Sequence, residues 1–158
     1  MNNRKLAALL LMSLALPAGS TSANDFGTRA EAEKMLKRAA AVLEADERRA
    51  LDLFTSGDGG FIHKDLYVFC AGSNGMLTAH PHFMGINLKG WKDKTGKAVG
   101  EEIYAVASEG KFIQVTYSAP RPKGGLSTAV TASAADQVEK SSFITKVGKQ
   151  ICGVGFYK

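Results

Sequence analysis

Hydrophobic side chains recur at helical spacing in residues 25–56. Steps of four and seven residues place them on one face of an α-helix. The stripe consists of Met35, Ala39, Leu43, Ala50 and Phe54. Thr28, with Glu31 three positions later, forms a capping box that predicts the helix N-terminus, and Gly57 predicts its end. The pattern therefore predicts one long helix packed on the protein's own sheet, and the alternative is that its apolar face forms a homodimer seam.

Segments rich in strand-forming residues follow the helix. Residues 65–71 and 76–80 flank a Gly-Ser-Asn-Gly turn and predict a β-hairpin that Pro81 ends. A short helix is predicted at residues 98–108. Further strands are predicted at residues 111–118, 142–147 and 150–157, whereas residues 126–135 show no clear pattern. Helices combined with an antiparallel sheet of about five strands predict an α+β domain.

Residues 1–23 have the composition of a secretory signal peptide. Arg4 and Lys5 form a basic start, an apolar run of about 13 residues follows, and Ala23 supplies a small residue before a cleavage point at Asn24. The run is shorter than the roughly 20 residues that span a bilayer. We therefore expect one mature domain, residues 24–158, located in the periplasm or secreted. The alternative is an uncleaved signal anchor.

Charge and motifs exclude several functions. The chain of 158 residues has a formal net charge of +5, and its basic residues are scattered among acidic ones, which disfavours nucleic-acid binding. Two cysteines cannot form a four-thiolate zinc site. The sequence contains no Gly-x-Ser-x-Gly elbow, phosphate-binding loop or His-Glu-x-x-His motif, so we do not predict an enzyme.

Several short motifs, taken in order, resemble single Cache domains, the extracytoplasmic sensor modules of bacterial chemoreceptors and sensor kinases. They are Tyr67-Val68-Phe69, Asn74-Gly75, Ala79-His80-Pro81, Met84-Gly85-Ile86-Asn87-Leu88, Asp93-Lys94-Thr95-Gly96-Lys97, Val115-Thr116-Tyr117, Lys140-Ser141-Ser142-Phe143 and Gly153-Val154-Gly155-Phe156-Tyr157. The resemblance covers nearly all of the mature chain and implies a PAS-like fold. The segment between Tyr117 and Lys140 is longer than in the family. Residues 148–150 replace a Trp-containing turn.

The resemblance also implies what the domain does. Such a module binds a small organic ligand, for example a carboxylate, without a cofactor. Because the sequence contains no signalling output, we expect the domain to act through a separate membrane receptor or sensor kinase.

The first and last strands of the resembled fold are central neighbours, which would bring Cys70 and Cys152 together. A disulfide is then the favoured prediction in an oxidising compartment, and two buried thiols are the alternative. Alternation along the strands would place Leu66, Val68, Val154 and Phe156 with the cysteines. Tyr67, Phe69, Gly153, Gly155 and Tyr157 would share the other face. The glycines there either leave open volume for a ligand or admit a close-packed helix.

A ligand site is predicted above that second face. Its predicted ligand-binding residues are Tyr67, Phe69, His80, Trp91, Tyr117 and Lys146. Lys146 and Lys140 lie in or near the strand predicted at residues 142–147, and a cation there would suit a carboxylate ligand. An alternative is metal binding by His80 and His82, with Met76 or Met84 adding sulfur. The histidines lack a third ligand at characteristic spacing, so no metal site is included in the prediction.

Overall fold

A computed structural model describes residues 26–121 and 137–158, and within these ranges three α-helices and six β-strands form. The helices are α1 (Arg29–Ala45), α2 (Glu47–Ser56) and α3 (Val99–Val106); the strands are β1 (Ile62–His63), β2 (Leu66–Ala71), β3 (Leu77–Ala79), β4 (Ile113–Pro120), β5 (Gln137–Val147) and β6 (Gln150–Tyr157). The strands run antiparallel in the order β1-β2-β6-β5-β4, and β3 also pairs with β2. The predicted α+β class is confirmed. The predicted signal peptide and residues 126–135 lie outside the described residues.

The prediction of one helix over residues 25–56 is wrong, because the helix breaks at Asp46. This residue has extended backbone angles, φ −157° and ψ 95°. Its N–H donates to the Val42 carbonyl, while its carboxylate accepts from the Arg49 N–H at 3.0 Å. Asp46 therefore ends α1 and caps α2, as short polar side chains commonly do. The apolar stripe continues across the break, which is why periodicity alone indicated a single helix.

Helix α1 packs on the sheet of its own chain. The capping box is present: the Thr28 hydroxyl accepts from the Glu31 N–H, and the Glu31 carboxylate accepts from the Thr28 N–H at 2.7 Å. The buried side chains of α1 are Ala32, Met35, Leu36, Ala39 and Leu43, and they face β5 and β6. The stripe is thus buried within one chain, as the favoured interpretation predicts. Across the described residues, no helix is long and apolar enough to cross a membrane.

The cysteines occupy directly opposed positions at the centre of the sheet. Cys70 on β2 pairs in register with Cys152 on β6, and a disulfide joins them. The predicted disulfide is confirmed. The alternation is also as expected: Leu66, Val68, Val154 and Phe156 join the cysteines in the core under α1. Tyr67 and Phe69 belong to a second apolar cluster on the opposite face.

Strand β5 starts at Gln137, five residues before the predicted start at Ser142. Its first half contains Lys140, Ser141 and Ser142, all of which are buried. Polar residues in succession hide the period-2 pattern by which strands are recognised. In the folded protein the Ser141 hydroxyl lies 2.7 Å from the Thr116 hydroxyl of β4, within hydrogen-bond distance. This earlier start matters because it brings Lys140 into the sheet.

Candidate functional site

A cavity of about 310 Å³ lies on the sheet face opposite α1. Such a volume is at the lower end of the range for small-molecule sites. The loop from Phe83 to Trp91 and helix α3 cover the sheet here. The lining residues are Tyr67, Phe69, Leu77, His80, Phe83, Ile86, Leu88, Trp91, Ile103, Tyr117, Ala119, Pro120, Lys140 and Tyr157. Most of these are aromatic or aliphatic, with few polar groups among them.

Strand register places three of the lining side chains side by side. Tyr117 on β4 pairs with Lys140 on β5, and Lys140 pairs with Tyr157 on β6. Residues opposed in adjacent strands point to the same face, so all three side chains enter the cavity. The Tyr117 and Ser142 hydroxyls lie 2.8 Å apart, which holds the Tyr117 ring against β5.

The two glycines of β6 make room for side chains from the neighbouring strands. A Cβ atom on Gly153 would lie 2.4 Å from the Phe69 ring, and one on Gly155 would lie 2.6 Å from Cε of Lys140. Both separations are far below van der Waals contact. The space above the glycines is therefore neither open nor filled by a helix. The Phe69 ring and the Lys140 side chain occupy it.

Lys140 is a buried cation, with only 5% of its surface exposed. Its ammonium lies 5.0 Å from the centre of the Tyr67 ring and 4.6 Å from that of Tyr157, as in cation–π contacts. Among the described residues, no carboxylate forms an ion pair with it. Burial, with a smaller contribution from Asp65, raises the pKa of Tyr67 to about 12. The Tyr67 hydroxyl is therefore neutral at ordinary pH.

His80 is held as a neutral imidazole at one side of the cavity. Its Nδ1 accepts hydrogen bonds from the N–H groups of His82 and Phe83, at 3.0 and 3.1 Å. Burial, followed by the positive charges of His82 and Lys140, lowers its pKa to about 4. Because Nδ1 acts as an acceptor, the ring proton is assigned to Nε2. The ring also packs 4.9 Å from that of Tyr67.

Trp91 reaches the cavity from the loop before α3. Its ring meets that of Tyr117 edge-on, with centres 5.2 Å apart, and its carbonyl accepts from the Gly100 N–H. A Cβ on Gly100 would lie 1.9 Å from the Leu88 carbonyl oxygen, so this close approach of loop and helix requires glycine. Asp93 ties the same loop to β4, accepting from the Ser118 N–H at 2.9 Å.

Five of the six predicted ligand-binding residues line this cavity: Tyr67, Phe69, His80, Trp91 and Tyr117. Lys146 does not line it, and this part of the prediction is corrected. Lys146 shares a face of β5 with Lys140 but lies six residues along the strand. Its ammonium is 3.9 Å from the Glu109 carboxylate, and 44% of its side chain is exposed.

Lys140 takes the place that the sequence assigned to Lys146. The predicted strand began at Ser142, so Lys140 fell outside it and its side-chain direction could not be inferred. Its even spacing from Ser142 and Lys146, which assigns all three to one face if the strand starts earlier, was the signal that could have identified it. Phe83 and Ile86 were missed because exposed apolar residues in a loop carry no periodic pattern.

The structure adds no support for the predicted alternative of metal binding. In the part of the chain that the structure describes, no three His, Cys, Asp or Glu residues come together as a metal site would require. Nδ1 of His80 is already engaged by two backbone N–H groups. Both cysteines are in the disulfide.

Comparison with known proteins identifies the fold. No protein-family model and no curated protein matches the chain. A methyl-accepting chemotaxis protein from Vibrio parahaemolyticus RIMD 2210633 aligns over 81% of this chain and 86% of its own, with 18% identity and a TM-score of 0.59. A Cache chemosensory domain solved to explain carboxylic acid recognition aligns over 79% of this chain and 84% of its own, with 18% identity and a TM-score of 0.50. The chain therefore has the fold of a single Cache sensor domain, as the motifs implied.

Proposed function

We propose that this chain is an exported sensory domain that binds a small organic ligand carrying a carboxylate. In this proposal residues 1–23 are a signal peptide and residues 24–158 form the Cache domain, in the periplasm or secreted. Ligand binding occurs in the 310 Å³ cavity, and a separate membrane receptor or sensor kinase responds to it. The proposed role is recognition rather than catalysis.

The buried ammonium of Lys140 carries the proposal. Removing an ammonium from water is costly unless an opposite charge or hydrogen-bond acceptors compensate for it. Two tyrosine rings provide part of that compensation, and among the described residues no carboxylate provides the rest. A ligand carboxylate would form a charge-assisted hydrogen bond to Nζ. The apolar cavity walls would strengthen that bond by lowering the local dielectric constant.

The structural relatives support the same class of ligand. One is a Cache chemosensory domain solved to explain carboxylic acid recognition, and another is a methyl-accepting chemotaxis protein. We propose that this chain shares their sensory role. The cavity meets the general description of a small-ligand site, with aromatic walls and a few converging polar groups.

Isothermal titration calorimetry of residues 24–158 with acetate, propanoate, lactate and benzoate tests the proposal. We expect binding of at least one acid, weakened at least tenfold in Lys140→Met, because a hydrogen bond to a charged group is worth roughly 1.5–3 kcal/mol. Lys146→Met is the matched control, because it removes the same charge from the same face of β5 outside the cavity. Equal affinity in both variants, or no binding of any acid, would refute the proposal.

Export is tested separately. The intact mass of the protein recovered from the periplasm or medium should correspond to a chain beginning at Asn24. Recovery of the protein in the membrane fraction, with a mass that retains residues 1–23, would support the uncleaved anchor instead.

A further inference from the structure

The described lining of the cavity has one positive charge and no negative charge. Among the described residues in its wall, Lys140 carries the one formal charge, and none of the lining side chains is acidic. His80 adds no second cation at neutral pH, because burial first, and then the charges of His82 and Lys140, keep its pKa near 4. The guanidinium of Arg121 is stacked 4.1 Å from the ring centre of Phe26 and is not in the wall.

This single positive charge limits which acids the cavity can bind. The second carboxylate of a dicarboxylate would face apolar wall, where an unpaired charge is costly. The ammonium of an amino acid would meet the same wall, and the described lining offers no carboxylate to pair with it. One anionic group is matched, and a second charged group of either sign is not.

The mouth of the cavity is apolar. Phe83 and Ile86 line it, and they are also 39% and 45% exposed to solvent. A ligand that covers exposed apolar side chains beside a cavity gains binding free energy, since each buried methylene contributes about 0.8 kcal/mol. A ligand with a carboxylate at Lys140 and an apolar body directed outward would cover both residues.

We infer that the cavity selects monocarboxylates with an apolar body, such as a short aliphatic chain or a single ring, over dicarboxylates and amino acids. This inference rests on the proposed function and narrows its ligand class. The apolar walls favour a ligand with an apolar body, and Lys140 favours a ligand with a single negative charge.

A matched series of ligands tests the inference by calorimetry on residues 24–158. Acetate, butanoate and hexanoate share a head group and differ in chain length, and succinate and glycine add a second charge. We expect affinity to rise up to about fourfold for each buried methylene, the equivalent of 0.8 kcal/mol. Succinate should bind at least tenfold more weakly than butanoate, which has the same number of carbons. Glycine should bind at least tenfold more weakly than acetate.

Variants at the mouth connect the preference to its residues. The double variant Phe83→Ser/Ile86→Ser should flatten the rise from acetate to hexanoate. Met84→Ser is the control: Met84 belongs to the same loop and is more exposed, at 52%, but does not line the cavity. It should retain the wild-type dependence on chain length. All three residues are partly exposed, so these changes should leave the fold intact.

The outcomes separate this inference from the function on which it rests. Flat affinity along the series, succinate equal to butanoate, or equal effects of the mouth and Met84 variants would overturn the inference. If Lys140→Met still abolished acetate binding, the proposed function would stand without it. Failure of every acid to bind would remove both.

Discussion

Cys70 and Cys152 face each other across the two central strands, with their Cα atoms 4.1 Å apart. Both side chains are fully buried under α1, on the face of the sheet opposite the cavity. The bond joins residues separated by 82 positions, so it links the first long strand of the domain to the last. It therefore fixes the centre of the sheet without contributing a group to the proposed ligand site.

Removal of this disulfide should destabilise the domain without abolishing ligand binding. For a loop of this length the chain-entropy model gives roughly 4 kcal/mol. Cys70→Ala/Cys152→Ala should lower the free energy of unfolding, measured by urea denaturation, by about that amount. Acetate titration of the folded variant should give the wild-type affinity, since the cavity is on the other face. Coincident urea midpoints for the variant and the oxidised wild type would contradict the prediction.

The glycines of β6 predict two different consequences of adding one methyl group. In Gly153→Ala the new Cβ would meet Ile144 and the Phe69 ring, which lines the cavity and packs in the same buried cluster as Ile144; overpacking of this kind costs about 1–3 kcal/mol. In Gly155→Ala it would meet Cε of Lys140 and the Ser142 hydroxyl. Lys140 has a flexible chain that can move aside. Gly155→Ala should therefore lower the free energy of unfolding less than Gly153→Ala does, and lower acetate affinity more. Urea denaturation measures the loss of stability in both variants, and calorimetry measures the loss of acetate affinity. If the two losses stood in the same ratio in both variants, the prediction would be wrong.

Strand alternation explains how much of the site could be predicted from the sequence. Once Cys70 and Cys152 are paired, every residue of β2 and β6 is assigned to a face, and this correctly places Tyr67, Phe69 and Tyr157 together. The same rule could not place Lys140, because the polar sequence at the start of β5 hid the strand. The choice of Lys146 followed directly from that boundary error.

Local polar contacts were harder to predict than periodic ones. Asp46 breaks the first helix by accepting one hydrogen bond from Arg49, and a single Asp inside an amphipathic stripe does not reveal this. The fold of the loop over the cavity likewise depends on the close approach of Gly100 to Leu88. Such contacts are made in three dimensions and leave no period in the sequence.

His80 should make the domain less stable as the pH falls from about 6.5 to 4. Its pKa is lowered from 6.5 to about 4, chiefly by burial. The unfolded chain therefore takes up this proton at a higher pH than the folded protein does. The contribution of His80 to the free energy of unfolding is fully present above pH 6.5 and falls below it. A difference of this size corresponds to a loss of the order of 3 kcal/mol by pH 4. Urea denaturation at several pH values measures it.

The control for His80 is His80→Asn, whose side-chain oxygen can accept from the same N–H groups but does not titrate between pH 4 and 6.5. Subtracting the two stability profiles cancels the contributions of the titrating groups that do not interact with His80. The difference should change steadily over this interval. A constant difference would show that His80 does not titrate as the structure indicates.

The loop that carries Trp91 should depend on the carboxylate of Asp93. One oxygen accepts from the Thr95 hydroxyl and the N–H groups of Thr95 and Lys97, and the other accepts from the Ser118 N–H of β4. These bonds, led by that from the Thr95 hydroxyl, lower the pKa of Asp93 to about 2. Their stabilising effect is therefore present above pH 3.8 and is lost as the pH falls towards 2.

Asp93→Asn should release this loop at neutral pH, because the amide offers one acceptor oxygen and turns an NH₂ group towards a backbone donor. The chain has a single tryptophan, so its fluorescence reports on this loop alone. We expect a red shift of Trp91 emission, faster hydrogen exchange at the Ser118 N–H, and weaker acetate binding. Asp52→Asn, on the exposed face of α2, is the control and should change none of these. Since acid protonates the same carboxylate, wild-type emission should approach that of Asp93→Asn as the pH falls to 2. A variant with unchanged emission and exchange would show that other contacts hold the loop.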